Sequence, residues 1–166
     1  VSHPVRLLLV DACVLIDFAK ADVSIITLAS RHVGEIHVAA PVFEEVKDID
    51  PTMAASLGIK VFEPTLDMVS EAAATRGRLS FQDRLCLAIA KARGWTCVSN
   101  DKQLRTSCEA EGVSVMWGFE VLALLVEQRA LSAPAAASLA KKIAADNKRI
   151  GRAVLARFFA RIGAKG

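Results

Sequence analysis

The 166-residue sequence has no tyrosine and few aromatics of any kind, 5% in all, so its 53% apolar content consists mainly of small aliphatic side chains. Proline is sparse too, at five residues, and with 23% charged residues the composition excludes a disordered, collagen-like or low-complexity chain. No long apolar run exists: 5–17 and 113–126 are broken by charge or glycine before the roughly eighteen residues that a membrane span needs. Only four uncharged apolar residues lie between Arg6 and Asp11, too few for the core of a secretory signal. No membrane partner and a cytoplasmic location are therefore expected. Cys13, Cys86, Cys97 and Cys108 form no C-x-x-C pair, and His3, His32 and His37 share no metal-ligand spacing, which excludes a zinc ribbon or finger. The cysteines read as reduced thiols.

A chain of this length has the size of one domain and buries roughly 70% of its unfolded surface without disulfide or metal support. Its charge is unevenly placed. Residues 131–166 carry eight Lys/Arg against Asp146 alone, a net +7, which leaves −4 on the rest of a chain that is +3 in total. A mildly acidic body with a basic tail suggests a carboxylate pocket in one place and an anion-facing surface in another.

Short apolar runs at 6–10, 34–40, 59–62, 95–99 and 113–117 are each bounded by Gly, Pro, Asn or Asp and read as buried parallel strands. Between them, helical periodicity covers 13–20, 23–32, 42–47, 66–75, 81–93, 102–111 and 119–130. The alternation predicts an α/β three-layer sandwich whose central parallel sheet has about five strands, with its sites at the carboxyl ends of those strands. Residues 1–130 form this unit, and 131–166 form a basic helical extension of the same domain. Ser132 and Pro134 start a helix there, and Asn147 and Gly151 break it.

Four acids fall at strand ends or in the first turns after them: Asp11, Glu45, Asp83 and Asp101. Each also has a plain reading as a helix cap or a capping-box partner, Ser80 to Asp83 being of that form. Glu45 competes with Glu44, since neighbours on a helix point about 100° apart, and Glu45 is expected to face inward. Gathered at one sheet edge, such acids repel and must take up protons or bind a hard cation, Mg²⁺ or Mn²⁺. Asp17 reads as part of a solvated helix face. Trp95 and Trp117, each in an expected strand, read as core.

The segments VDACVLI (10–16), VFEEV (42–46), LSFQD (79–83) and SNDKQLR (99–105) resemble, in order and spacing, the four acidic motifs of PIN-domain ribonucleases. The likeness covers roughly residues 5–130 and is strongest to the VapC-like toxins of toxin–antitoxin pairs, with a helical C-terminal extension added. It implies a PIN-like nuclease fold, an Mg²⁺- or Mn²⁺-dependent endoribonuclease, an RNA substrate, a cognate antitoxin protein and a homodimer. It also implies that Asp11, Glu45, Asp83 and Asp101 are catalytic metal ligands, supported by Ser99. Where the family has Ser, Thr or Asn after its first aspartate, this chain has Ala12 and Cys13, which removes a hydroxyl beside the ligands. Arg105 matches a family pattern and is a candidate RNA contact. Arg157, Arg161 and Lys165 form a four-residue-spaced basic stripe that could hold a phosphate backbone, or the outer face of a helix docked by Leu155, Phe158, Phe159 and Ile162.

Two other readings share parts of this pattern. A phosphoacceptor receiver-like domain also gathers acids at strand ends, but here the third strand runs into Glu63-Pro64 and no lysine follows 113–117. A PIN fold that binds RNA through its basic extension without cutting it is the closer alternative, because of Ala12 and Cys13.

Overall fold

A computed structural model of the chain describes residues 5–164, which leaves His3 and Lys165 outside the described residues. Its central strand is β1 (Leu7–Val10), in which Leu8, Leu9 and Val10 are almost fully buried, as a strand covered on both faces requires. Around it lie β2 (Glu35–Ala39), β3 (Ile59–Phe62), β4 (Thr96–Val98) and β5 (Val115–Met116), all parallel, in the order β3-β2-β1-β4-β5. The order reverses direction at β1, the topological switch point at which β1 and β4 open a crevice at their carboxyl ends.

The helices α1 (Ala12–Asp22), α2 (Ser24–His32), α8 (Gly118–Glu127), α9 (Ala133–Asp146) and α10 (Arg152–Ile162) pack on one another as one group. A second group contains α5 (Leu66–Ala74), α6 (Phe81–Arg93) and α7 (Lys102–Ala110). Together with the sheet they make the expected PIN-like α/β sandwich. Helix starts follow local chemistry: Asp11, Asp50, Thr65, Ser80, Asp101 and Ser132 each accept the backbone N–H three residues on.

Two elements depart from the sequence reading. The helix expected over 42–47 is a single turn, α3 (Ala40–Phe43), after which the chain turns to bury Val46 and Ile49 while Glu44 and Glu45 stay exposed. A helix absent from the reading, α4 (Pro51–Leu57), follows at once. Its signals are an aspartate cap before a first-turn proline and a left-handed stop at Gly58 (φ 85°), where a Cβ would come within 2.6 Å of Ser30 Oγ.

The extension is docked, not free. Ala136 and Ala140, fully buried, let α9 approach α1 and α8 closely, and Phe158 of α10 meets Phe119 of α8 at 5.0 Å between ring centroids. The apolar side of α10, with Phe158 and Phe159 buried, is thus covered by the chain itself. Among the described residues no helix is long and apolar enough to cross a membrane.

Candidate active site at the carboxyl edge of the sheet

Val10 and Val98 are register partners in the parallel β1–β4 pair, so the residues just beyond them, Asp11 and Ser99, leave the sheet side by side. The main chain is fixed there as well: Asp11 N–H donates to Val98 O (3.1 Å), and Ser99 N–H to Met116 O (3.0 Å) on β5. Ser99, with no exposed surface, links two acids. Its hydroxyl donates to Asp11 Oδ2 and accepts the backbone N–H of Asp101 at 3.0 Å.

Asp11 is the buried carboxylate of this edge, 5% exposed. Burial pushes its pKa up to about 6; hydrogen bonds from Ser99 and from Val14 N–H (3.1 Å) oppose the shift, while the negative charges of Asp83 and Asp101 add to it. The cap reading and the site reading are therefore both true of Asp11, because Oδ1 caps α1 while the carboxylate stays in the field of the other acids. Asp101 is similar: Oδ1 caps α7 through Leu104 N–H (2.9 Å), and Oδ2 receives Arg149 Nη1 (3.2 Å). Asp83, half-buried in the first turn of α6, closes the capping box with Ser80 Oγ at 2.8 Å. Glu45 is the outlying member. It is exposed in the turn after α3, though its charge, with those of Asp11 and Asp83, raises the pKa of the buried Cys86 thiol after burial itself.

Cys13, half-buried in the first turn of α1, has its pKa pushed up to about 11 by burial and then by Asp11, so it is a neutral thiol beside the acids. Asp17 is not on a solvated face. Half-buried, it accepts Nδ2–H of Asn147 (2.8 Å) and of Asn100 (3.3 Å), and burial raises its pKa against those two bonds. Asn100 in turn accepts Gly118 N–H at 3.0 Å, a close approach at which a Cβ on residue 118 would stand 3.1 Å from Asn100 Oδ1 and push the amide by a few tenths of an ångström. The sequence reading missed Asn147 and Arg149 as members of this edge; the only signal was that the break in the extension contains an amide and two cations.

Of the basic candidates, Arg105 is buried with its guanidinium 3.2 Å from the centroid of Trp117, and among the described residues its Nη1 has no hydrogen-bond partner. Arg157 and Arg161 are exposed on α10, Arg161 pairing with Glu127 at 3.0 Å. Trp95 is core, stacked on His37 at 4.3 Å, but Trp117 lies just past β5 and is half-buried.

The donor set at the edge is all oxygen, which suits a hard divalent ion. Among the described residues no three His, Cys, Asp or Glu side chains are gathered closely enough to hold one as they stand. The set fits such an ion in the chemistry of its donors, while as it stands Asp101 is held by Arg149 and Asp83 by Ser80.

No curated protein and no solved structure matches the chain. The sequence model described as a PIN domain does match, over residues 7–164, so the match takes in the strands, the acidic edge and both helices of the extension. PIN domains are as a class nucleases that commonly use divalent metals and act on RNA. On this match, and on the five-stranded parallel sheet with its edge of aspartates, the chain belongs to the PIN-domain family.

Proposed function

We propose that the chain is a divalent-metal-dependent endoribonuclease and that Asp11, Asp83 and Asp101, with Glu45 at the margin, hold Mg²⁺ or Mn²⁺. The observation that carries the reading is the Ser99 hydroxyl, which ties the buried Asp11 carboxylate to the backbone of Asp101 at the switch point of the sheet. A carboxylate kept in so desolvated a place is costly unless a cation compensates it. When bound, the ion supplies Lewis-acid stabilisation of charge on a phosphodiester and lowers the pKa of water.

The protein's own part is positional. Ser99 and Val14 N–H each occupy one acceptor position on Asp11, which fixes the plane of its carboxylate and leaves further lone pairs on both oxygens. The cap bond to Leu104 N–H does the same for Asp101 Oδ1, while Oδ2 meets Arg149. Cys13 stays neutral and adds no charge to the edge.

The motif spacing is most like that of VapC-like toxins, so the reading includes a toxin role in the cytoplasm, a protein antitoxin and a homodimer. The reading takes the extension, 131–166, as part of the same domain, supported by the packing of α9 on α1 and α8 and of α10 on α8 and α9. One observation favours the alternative of a weakly catalytic RNA-binding subunit, namely the Arg149 guanidinium on the carboxylate that a metal would need.

End-group analysis of cleaved RNA tests the function. Attack by external water leaves a 5′-phosphate and a 3′-hydroxyl, and that pair of ends, formed with Mn²⁺ or Mg²⁺ and not with EDTA, is expected. A 2′,3′-cyclic phosphate formed without metal would contradict the proposal.

A further inference from the structure

Trp117 is the first residue past β5, the edge strand next to β4, so it stands at the same carboxyl edge as Asp11 and Ser99. Both of its neighbours are tied to the fourth acidic segment, Met116 O accepting from Ser99 N–H and Gly118 N–H donating to Asn100 Oδ1, each at 3.0 Å. Two strand spacings, roughly 10 Å, separate the ends of β1 and β5. That span is short enough for adjoining nucleotides of one strand to reach both.

Beside Trp117 a cavity of about 170 Å³ opens to solvent, lined among others by Phe119 and Phe158 and by three charged residues, Glu120, Arg157 and Arg161. Arg157 lies 5.9 Å from the Trp117 ring centroid. Arg105, buried, stands 3.2 Å from that centroid in the field of Glu109, Asp101 and Glu120, and among the described residues its Nη1 has no hydrogen-bond partner, so the guanidinium is packed on the ring. A packing role alone would be served by an apolar side chain at much lower desolvation cost.

The lining is specific in combination. A plain anion site would have no aromatic floor and would not admit Glu120, whereas an apolar-ligand site would not present two exposed guanidiniums. A nucleotide uses all three features: a base stacks on the indole, its phosphate meets Arg157, with Arg161 beside it shared with Glu127, and the N–H groups of its edge meet the carboxylate of Glu120.

We propose that this cavity binds one unpaired nucleotide of a single-stranded RNA whose adjoining phosphate lies at the acidic edge. A paired base has its faces covered by its neighbours, so occupancy requires a single strand, loop or end. The naming of RNA as the polymer rests on the nuclease reading; the nucleotide chemistry of the cavity does not. Arg105 is a positioning residue that orients the indole.

The test is binding of a short fluorescent single-stranded oligoribonucleotide by anisotropy in EDTA, read without turnover and alongside intrinsic tryptophan emission. Binding is expected to quench that emission in the wild type. Trp117→Leu should weaken affinity at least about fivefold and remove the quench, while Trp117→Phe, which keeps an aromatic face, should stay within about twofold in affinity. Arg157→Gln should flatten the slope of log affinity against log salt by about 0.7, the value for one phosphate contact on a single strand. The proposal is overturned if Trp117→Leu, shown to be folded, binds as the wild type does, or if a duplex of the same sequence binds as well as the single strand. Unchanged binding by Trp117→Leu in a protein that cuts RNA would remove the cavity and leave the nuclease reading intact. Trp117-dependent binding by a protein that cuts no RNA would do the reverse.

Discussion

Arg149, between the last two helices, places Nη1 3.2 Å from Oδ2 of Asp101, so the C-terminal extension reaches back to the acid that caps α7 at the sheet edge. Two residues earlier, Asn147 bonds Asp17 on α1 at 2.8 Å. The extension is thereby fastened to the site from two sides, by an amide-to-carboxylate hydrogen bond and by a cation that stands where a divalent ion would compete for the Asp101 carboxylate.

Replacing Arg149 by glutamine removes that competitor. Divalent-ion affinity, read by calorimetry with Mn²⁺, should rise severalfold. Stability should change by less than about 1 kcal/mol, because the pair is largely exposed on the arginine side. Weaker metal binding in Arg149→Gln would mean that the guanidinium supports the site instead of occupying it.

Asp11→Asn should separate stability from activity. The Asp11 pKa is raised from 3.8 to about 6 by burial, so between those pH values the folded state holds more protons than the unfolded one, and stability falls as pH rises through this window. The group's contribution is fully present below about pH 4 and lost above about pH 6, a difference of about 3 kcal/mol at 1.36 kcal/mol per unit. Urea denaturation at pH 4 and pH 7 should show the asparagine variant free of this loss and more stable than the wild type at pH 7, yet unable to cut. Parallel pH profiles for the two proteins would refute the assignment.

Metal should restore part of what ionised Asp11 costs. Saturating Mn²⁺ at neutral pH should raise the wild-type melting temperature by an amount that grows with the logarithm of metal concentration, and should leave Asp11→Asn nearly unmoved. An equal rise in both proteins would place the ion elsewhere.

Ser99→Ala deletes one hydroxyl that serves two partners. Leaving the Asp101 N–H and one oxygen of Asp11 without their partner in a fully buried place should cost about 1–3 kcal/mol in chemical denaturation. Ser99→Thr, which keeps the hydroxyl, should recover metal binding more than stability, since its added methyl group enters packed space.

The parts legible in the sequence were those set by local pattern. Residues 7–10, apolar until Asp11, read as a strand covered on both faces, and 95–99 as another, so the arrival of Asp11 and Asp101 at one sheet edge was legible from parallel topology, whereas Ser99 entered only through the family resemblance. The capping chemistry at Ser80 and Asp101 was equally local. Asp17 was not legible, because its burial depends on α9 docking across α1, and nothing near residue 17 announces Asn147, 130 positions on. Glu45 was misplaced for a related reason: its helical spacing was real over four residues, but Val46 and Ile49 have to reach the core before Asp50 and Pro51 begin α4, and the helix stops early. Trp117 was read as core from its apolar run, although β5 ends one residue before it.

The most direct test of the four-acid site is cleavage of a mixed, structured RNA by the purified chain with Mn²⁺, with Mg²⁺ and with EDTA, with Asp11→Asn and Asp101→Asn purified in parallel. Cutting that needs the metal and is lost in both folded variants is the predicted result. Cutting that persists in either variant, or in EDTA, would contradict the assignment of Asp11 and Asp101 as the residues that hold the ion.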